Sequence, residues 1–152
     1  MQITTRVFGE INIEDDKIIS FVNGLVGFPE LKDFALIYDP EKSDNRGIQW
    51  LQSMQEPAFA MPVIDPLTLI PDYNPQVEDE WLKSIGEYEP DGLLVLVTVT
   101  VPSDITKMTV NLKGPIVINA ETRKACQVIA EGDGCDVKFP IYELLQSRKA
   151  GE

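Results

Sequence analysis

The longest apolar-rich run in the sequence, Leu93–Val101, predicts a strand at the centre of the fold. It is rich in β-branched side chains, which favour strands because their χ1 angles are restricted. Leu93–Val97 is apolar at every position, as in a strand with both faces buried, whereas valine and threonine alternate from Val97 onward, as in a strand with one face in water. We therefore expect this strand to begin deep in the core and to emerge at an edge. It is too short to cross a bilayer as a helix, which takes about 20 apolar residues.

Two further strands are predicted directly after it. Beyond a turn at Pro102–Asp104, apolar and polar residues alternate over Met108–Leu112, which indicates a strand with one buried face. Gly114 interrupts this pattern together with a proline, which has no N–H for a ladder, and Pro115–Asn119 forms a third strand. The three segments predict an antiparallel sheet with short connections.

Short strands separated by Gly, Pro and acidic turns fill most of the remaining chain. They are a hairpin at Met1–Ile13 that turns at Gly9 and Glu10, and strands at Lys17–Val22, Phe34–Tyr38, Ile48–Met54, Ala58–Ile64 and Arg123–Ala130. Pro62 predicts an edge or a bulge in its strand, since it cannot donate a ladder hydrogen bond. The prolines on both sides of Leu67–Ile70 predict an extended excursion rather than a helix.

Two segments have helical periodicity. Gln76–Ile85 repeats its apolar residues at helical spacing and is followed by Gly86, which ends helices. Ile141–Lys149 places Ile141, Leu144 and Leu145 on one face. The pattern as a whole predicts a mainly β fold, a small antiparallel β-barrel-like single domain over residues 1–150 with one or two short helices.

The loop Asn23–Leu31 is shaped by two glycines, Gly24 and Gly27, that allow unusual backbone angles. It lacks the glycine pattern of a phosphate-binding loop. Phe28 and Leu31 in this loop have two interpretations: they plug one end of the barrel, or they form a contact surface.

The net charge of −12, from 25 acidic and 13 basic residues, disfavours binding to nucleic acid and to anionic membranes. It suits a basic protein partner, or it serves solubility alone. No positively charged segment followed by an apolar stretch opens the chain, so we expect a cytoplasmic location.

The absence of histidine excludes a Cys/His zinc site within one chain and any catalytic set that needs an imidazole. Cys126 is expected in a strand and Cys135 in a loop, without a disulfide. Glu131–Asp136 lacks the ligands of a calcium loop. Without histidine, a general base would have to be a carboxylate, Lys, Tyr or Cys. Paired carboxylates could hydrolyse a glycosidic bond, but 25 acidic residues give many chance pairs. We therefore expect a binding module without a cofactor rather than an enzyme.

Several motifs, in their order and spacing, resemble the flagellar assembly factor FliW family. The matching segments are Phe21–Leu31, Trp50–Ser53, Phe59, Asp65-Pro66, Asp72-Tyr73, Leu94–Val101, Asn111–Asn119, Arg123 and Gln127–Ile129. The resemblance implies a small barrel-like protein of the bacterial cytoplasm that binds the translational regulator CsrA, a basic RNA-binding dimer, and relieves its repression of flagellin mRNA. It also implies binding to flagellin, which competes with CsrA, so that partner exchange couples flagellin synthesis to export.

Two segments are candidates for the partner contact. One is the end of the Trp50 strand and its turn, Gln52, Ser53, Met54 and Gln55; the other is the acidic zone Asp72–Asp91, with Glu78, Asp79 and Glu80 at its centre. Acidic residues in the first turn of a helix also favour the helix dipole, which accounts for those three without a partner. They fit either imitation of RNA phosphates or action from a neighbouring surface of CsrA, and the resemblance implies the second. The rival interpretation is a structural or ligand-holding barrel that shares only the fold.

Overall fold

Seven strands close into a barrel, and four more strands are found in the described part of the chain. The computed structural model describes residues 2–25, 27–37, 48–73, 77, 79–89, 92–131 and 136–150. Six residues named in the sequence predictions lie outside these ranges: Met1, Tyr38, Gln76, Glu78, Asp91 and Cys135.

The strands and helices have the following bounds. The strands are β1 Gln2–Thr5, β2 Gly9–Asn12, β3 Ile19–Phe21, β4 Asp33–Ile37, β5 Gln49–Ser53, β6 Ala60–Ile64, β7 Leu93–Thr100, β8 Thr109–Val110, β9 Ile116–Asn119, β10 Lys124–Gln127 and β11 Phe139–Pro140. The α-helices are α1 Asp79–Leu82 and α2 Tyr142–Ala150, and the 3-10 helices are Asp15–Lys17, Pro66–Thr68, Lys83–Ile85 and Ile105–Lys107.

The barrel closes because β7 pairs with β6 and also with β9, giving the order β7-β6-β5-β4-β3-β10-β9 and back to β7. The predicted mainly β, barrel-like fold is thereby confirmed. Neighbouring strands are antiparallel except β3 and β10, which pair in parallel through Ser20↔Lys124 and Phe21↔Ala125. A parallel pair needs a long crossover, and here most of the barrel wall separates the two strands in sequence.

Both faces of β7 are covered, as its apolar run predicts. On the inner face, Leu94 and Leu96 pack in the barrel interior. On the outer face, Leu93 and Val95 belong to the cluster around the 3-10 helix Lys83–Ile85, while the later valines pack with residues of α2. The strand therefore contributes to every core cluster of the described chain.

The burial of β7 along its length corrects the prediction. Leu93–Val95 is half-buried, and burial is nearly complete only at Leu96 and Val97, which are 1% and 0% exposed. The start of β7 is covered on its outer face by a short 3-10 helix, which shields less surface than a longer element. The other end does not emerge at an open edge, since Val99 and Thr100 pair with β8.

The two strands predicted after β7 both form and both pair antiparallel with it. Both strands lie along the same edge of β7. At this edge the Gly92 carbonyl accepts a hydrogen bond from the Ala120 N–H, and the Thr98 carbonyl accepts one from the Asn111 N–H. Between β8 and β9 the chain departs from the ladder. The Asn111 side chain supports this departure by accepting hydrogen bonds from two following backbone N–H groups.

The N-terminal hairpin is confirmed, but its turn lies at Arg6–Phe8 and not at Gly9 and Glu10. The Thr5 hydroxyl determines this, since it accepts a hydrogen bond from the Phe8 N–H and donates one to the Gly9 carbonyl. Gly9, with φ of 70°, closes the turn and begins β2.

Pro62 lies in a strand with neighbours on both sides, yet the predicted edge exists locally. The β6–β7 ladder begins only at Val63↔Thr98, after Pro62. Ser53 N–H bonds the Phe59 carbonyl, so by the alternation of antiparallel pairs Pro62 occupies a non-hydrogen-bonded position toward β5. The side of Pro62 that lacks an N–H therefore faces β7 at a point where β6 and β7 do not pair, so no ladder hydrogen bond is lost.

The segment Leu67–Ile70 is not fully extended, which corrects the prediction. Pro66–Thr68 forms a 3-10 helix whose first turn is capped by the Asp65 side chain, which accepts a hydrogen bond from the Leu67 N–H. Proline at the first helical position suits this turn because its fixed φ is already helical.

The helix predicted over Gln76–Ile85 is shorter than its apolar pattern. It consists of α1 followed directly by the 3-10 helix Lys83–Ile85, and Gly86 ends this helical segment with φ of 82°. The C-terminal helix α2 is confirmed. Leu145 lies on its buried face, and Ile141, predicted as its first residue, is buried directly before it, whereas Leu144, predicted on the same face, is exposed. In the described part of the chain, neither helix is long and apolar enough to span a membrane.

The barrel interior is filled by side chains, with an edge-to-face contact between Phe21 and Phe34 at 5.2 Å. Cys126 lies in the cluster outside β7, as predicted for a packed strand cysteine. Burial raises the pKa of the Cys126 thiol, and the neighbouring Ser84 hydroxyl partly offsets this.

Candidate functional site

The first predicted contact segment forms a rigid turn whose leading residues lie under the surface. Gln52, Ser53 and Met54 are buried, and Gln52 is 0% exposed. The Gln52 amide nitrogen donates hydrogen bonds to the carbonyls of Ser53, Pro57 and Phe59. These three side chains therefore shape the turn, and a partner reaches the predicted patch through the residues that follow.

Gln55 is the exposed member of that segment. Its side-chain oxygen accepts hydrogen bonds from the N–H groups of Lys32 and Asp33, at 2.6 and 2.9 Å, and its nitrogen donates to the Glu30 carbonyl. The Ser53 hydroxyl also accepts from two N–H groups of the turn. We call Ser53–Ala58 the Gln55 turn; it presents a fixed surface fastened to the segment before β4.

The glycine loop lies beside the Gln55 turn and closes one end of the barrel. Leu25 and Leu31 are buried in the barrel cluster, which supports the plug interpretation for Leu31. Phe28 is 41% exposed and rests on Phe59, with ring centroids 4.9 Å apart. Part of its ring therefore remains available at the surface, as the contact interpretation requires.

A depression of about 350 Å³ opens at this end of the barrel. It lies where β6 and β7 separate, and Leu25, Phe28 and Met61 form its apolar side, while Thr98 and Gln127 are among its polar residues. None of its described lining residues is charged. The depression suits uncharged groups and offers nothing to attract a cation.

The second predicted segment leads into an acidic and aromatic surface held by one buried amide. Asn119 is fully buried at the end of β9, and its side-chain nitrogen donates to the carbonyls of Ile85 and Glu87, at 3.0 and 2.9 Å. Its oxygen accepts from the Glu121 N–H at 3.0 Å. The Thr122 hydroxyl donates to the same Ile85 carbonyl. One side chain thus fixes the segment after α1 to the turn after β9.

Two shallow depressions meet at Tyr88. One, of about 460 Å³, is lined by Glu87, Tyr88, Glu89 and Glu121; the other, of about 350 Å³, is lined by Leu82, Lys83, Gly86, Glu87 and Tyr88. We call these lining residues together the Tyr88 face. Tyr88 is 39% exposed, and Trp81 on α1 is 40% exposed.

The Tyr88 face is negatively charged. It carries three glutamates, and its one basic side chain, Lys83, already bonds Glu80 at 3.1 Å. Carboxylates beside exposed aromatic rings suit lysine and arginine, which pair with the acids and also stack on the rings. Within the described residues, no group of three or more Cys, Asp or Glu side chains is placed to hold a metal ion.

The structure places the predicted site residues in two separate regions. The Gln55 turn lies at the β5–β6 connection, and Asp79 and Glu80 lie in α1, while Glu78 is outside the described residues. Sequence reasoning missed Asn119, Thr122 and Glu121. A signal for Asn119 is present, since it is the polar end of an otherwise apolar strand, but its bonds to residues more than 30 positions away are visible only in the fold.

Comparison with known proteins agrees with this architecture. The family model described as FliW protein matches residues 2–141. The flagellar assembly factor FliW of Lachnoclostridium phytofermentans is 45% identical over the whole of this chain and 97% of its own length. That of Lachnospira eligens is 44% identical over 98% of this chain and 99% of its length. A crystal structure of the flagellar assembly factor FliW superposes with a TM-score of 0.84 at 29% identity, covering 93% of this chain and 97% of that one. The chain therefore belongs to the FliW family of flagellar assembly factors.

Proposed function

We propose that this protein regulates flagellum assembly by exchanging two protein partners in the bacterial cytoplasm. In one state it binds CsrA and prevents repression of flagellin mRNA, and in the other it binds flagellin. The exchange makes and breaks no covalent bond, so the protein acts as a binding module and not as an enzyme.

The observation that carries the CsrA contact is the Tyr88 face. Its glutamates and the exposed Tyr88 ring form a surface complementary to a basic protein, and Asn119 holds the backbone beneath it in place. A preorganised surface binds more tightly because less conformational freedom is lost on association. The net charge of −12 supports the same partner, since it accelerates encounter with a basic protein.

The Gln55 turn is proposed as a second contact. Gln55, Glu56, Pro57 and Ala58 are exposed and lie on a turn held by buried side chains, so they keep one arrangement when free and when bound. Gln52, Ser53 and Met54 take part by holding this turn. With Glu56 as its one charged side chain, this surface contributes contact area more than long-range attraction.

The rival function, a barrel that carries a small ligand, finds less support. The barrel interior is filled by apolar side chains, among them Phe21, Phe34 and Leu51, which are all 0% exposed. The uncharged depression at the barrel end favours a ligand, but among the described residues it is open to solvent rather than enclosed.

Calorimetry of the purified protein against CsrA from the same organism tests the proposal, first alone and then after saturation with flagellin. We expect tight binding that flagellin abolishes. Failure of a correctly folded sample to bind CsrA would overturn the regulatory function and leave a flagellin chaperone or an unassigned barrel. Binding of CsrA that flagellin leaves unchanged would overturn the exchange.

Neutralising the Tyr88 face should slow association with CsrA. The triple variant Glu87→Gln, Glu89→Gln and Glu121→Gln is expected to lower the association rate by about fivefold at low salt, because steering depends on the local charge. The matched control is Glu14→Gln, Asp16→Asn and Glu143→Gln, which changes charge by the same amount at exposed sites elsewhere.

Stopped-flow or surface-binding kinetics measure these rates at rising salt. The rates of wild type and triple variant should converge as salt increases, since charges are screened over about 8 Å at physiological ionic strength. Equal rates for the triple variant and its control would show that net charge and not the Tyr88 face steers the encounter. The variant Asp79→Asn with Glu80→Gln tests in the same assay whether the acids of α1 contribute.

A further inference from the structure

The N-terminal hairpin β1–β2 is a two-stranded sheet of its own. Its register runs from Gln2↔Asn12 to Thr5↔Gly9, and among the described residues neither strand pairs with a strand of the barrel. A two-stranded hairpin of this length is marginally stable by itself in water. Its position therefore depends on the contacts it makes with the barrel.

The hydrogen bonds and the ring contact described between hairpin and barrel lie at the hairpin turn. The Arg6 N–H donates to the Pro57 carbonyl and the Arg6 Nε to the Ala58 carbonyl, both at 3.1 Å. The Phe8 ring meets the edge of Trp50 with centroids 6.1 Å apart. Along β1 and β2, Thr5 is the one fully buried residue, and its hydroxyl bonds belong to the hairpin itself.

Two polar atoms are buried in this region without a hydrogen-bond partner in the described structure: Trp50 Nε1 and Gln52 Oε1. They belong to alternate residues of β5 and so lie on the same face of that strand. The Pro57 carbonyl links the hairpin to this face, because it accepts from both the Arg6 N–H and the Gln52 amide. Buried polar atoms without partners oppose the closed arrangement, since they lose their bonds to water.

We propose that the β1–β2 hairpin is an opening cover over the outer face of β5. In the closed state it covers part of the half-buried Trp50 and lies against the Gln55 turn. In the open state water or a bound segment reaches Trp50 Nε1 and Gln52 Oε1, so both atoms gain partners while the barrel, whose ladder does not include the hairpin, stays folded. This property is independent of which partners the protein binds.

Amide hydrogen exchange of the unaltered protein tests the opening directly. The Arg6 N–H, bonded across the hairpin–barrel boundary, should exchange at least about 100-fold faster than the Met54 N–H, which is bonded within the barrel to Asp33, because local openings require less free energy than global unfolding. Exchange of both amides at the same slow rate would show that the hairpin opens only when the barrel unfolds, and would overturn the proposal.

Fluorescence gives a second readout in a Trp81→Phe background, where Trp50 is the one remaining tryptophan of two. Arg6→Ala removes one bond to the barrel, and acrylamide quenching of Trp50 is expected to rise about twofold with the barrel still folded, since the hairpin is then open more often. Lys107→Ala, which removes the same charge at a distant exposed site, is the control and should leave quenching unchanged. Equal quenching in the two variants would overturn the proposal, and the exchange measurement decides the matter independently if Arg6→Ala fails to fold.

Discussion

Asn119→Ala is expected to lower the free energy of unfolding by about 3 kcal/mol, because it removes three hydrogen bonds made by a fully buried side chain, at about 1 kcal/mol each. The carbonyl of Glu87 and the N–H of Glu121 both lose the side chain that connects them. The Tyr88 face should therefore also lose its fixed arrangement. We expect weaker binding to CsrA in the variant even under conditions where it is fully folded.

Chemical denaturation measures the stability change, and calorimetry of the folded variant measures the loss of affinity. Thr122→Val is the matched control in the same cluster, since it removes the hydrogen bond donated to the Ile85 carbonyl, at 2.8 Å, and one exposed bond accepted from the Lys124 N–H, at 3.3 Å. A typical single bond contributes about 1 kcal/mol. If Asn119→Ala were no more damaging than Thr122→Val, the amide would not be the element that holds this surface.

Gly24→Ala is expected to lower the free energy of unfolding by about 4 kcal/mol, through left-handed strain and steric overlap together. Gly24 has φ of 71°, and a Cβ there would lie 2.4 Å from the Pro29 carbonyl oxygen. That atom belongs to the backbone, so no side chain can rotate away to make room. The glycine loop and the exposed Phe28 would have to move.

Gly27→Ala separates the two causes. Gly27 has φ of 89°, but a Cβ there would meet no atom within 4 Å. The free energy of unfolding should therefore fall by only about 1 kcal/mol, from the strain of a left-handed residue with a side chain. Equal losses in the two variants, measured by denaturation, would mean that the close approach to Pro29 is relieved without cost.

The two variants also distinguish the proposed surfaces. Gly24 shapes the barrel end beside the Gln55 turn, whereas Asn119 holds the Tyr88 face. A folded Gly24→Ala protein that binds CsrA normally, beside a folded Asn119→Ala protein that does not, would assign the CsrA contact to the Tyr88 face. The opposite result would assign it to the barrel end.

Local pattern was sufficient to predict most of the elements. The apolar run of β7, the alternation around β8 and the helical spacing of α2 each reflect which side chains a strand or helix must bury. Gly86 marked the end of its helical segment because glycine adopts the positive φ required there. The resemblance to FliW rested on the order of such segments, and the family assignment confirmed it.

The candidate site depended on contacts that local pattern does not contain. The sequence by itself determined the strands, the acidic charge and the absence of histidine chemistry, because each depends on single residues or close neighbours. Only the tertiary structure decided that Gln52 is buried, that β3 meets β10, and that Asn119 reaches Ile85. These are pairings between distant segments, and a polar residue that is exposed in one pairing is buried and bonded in another.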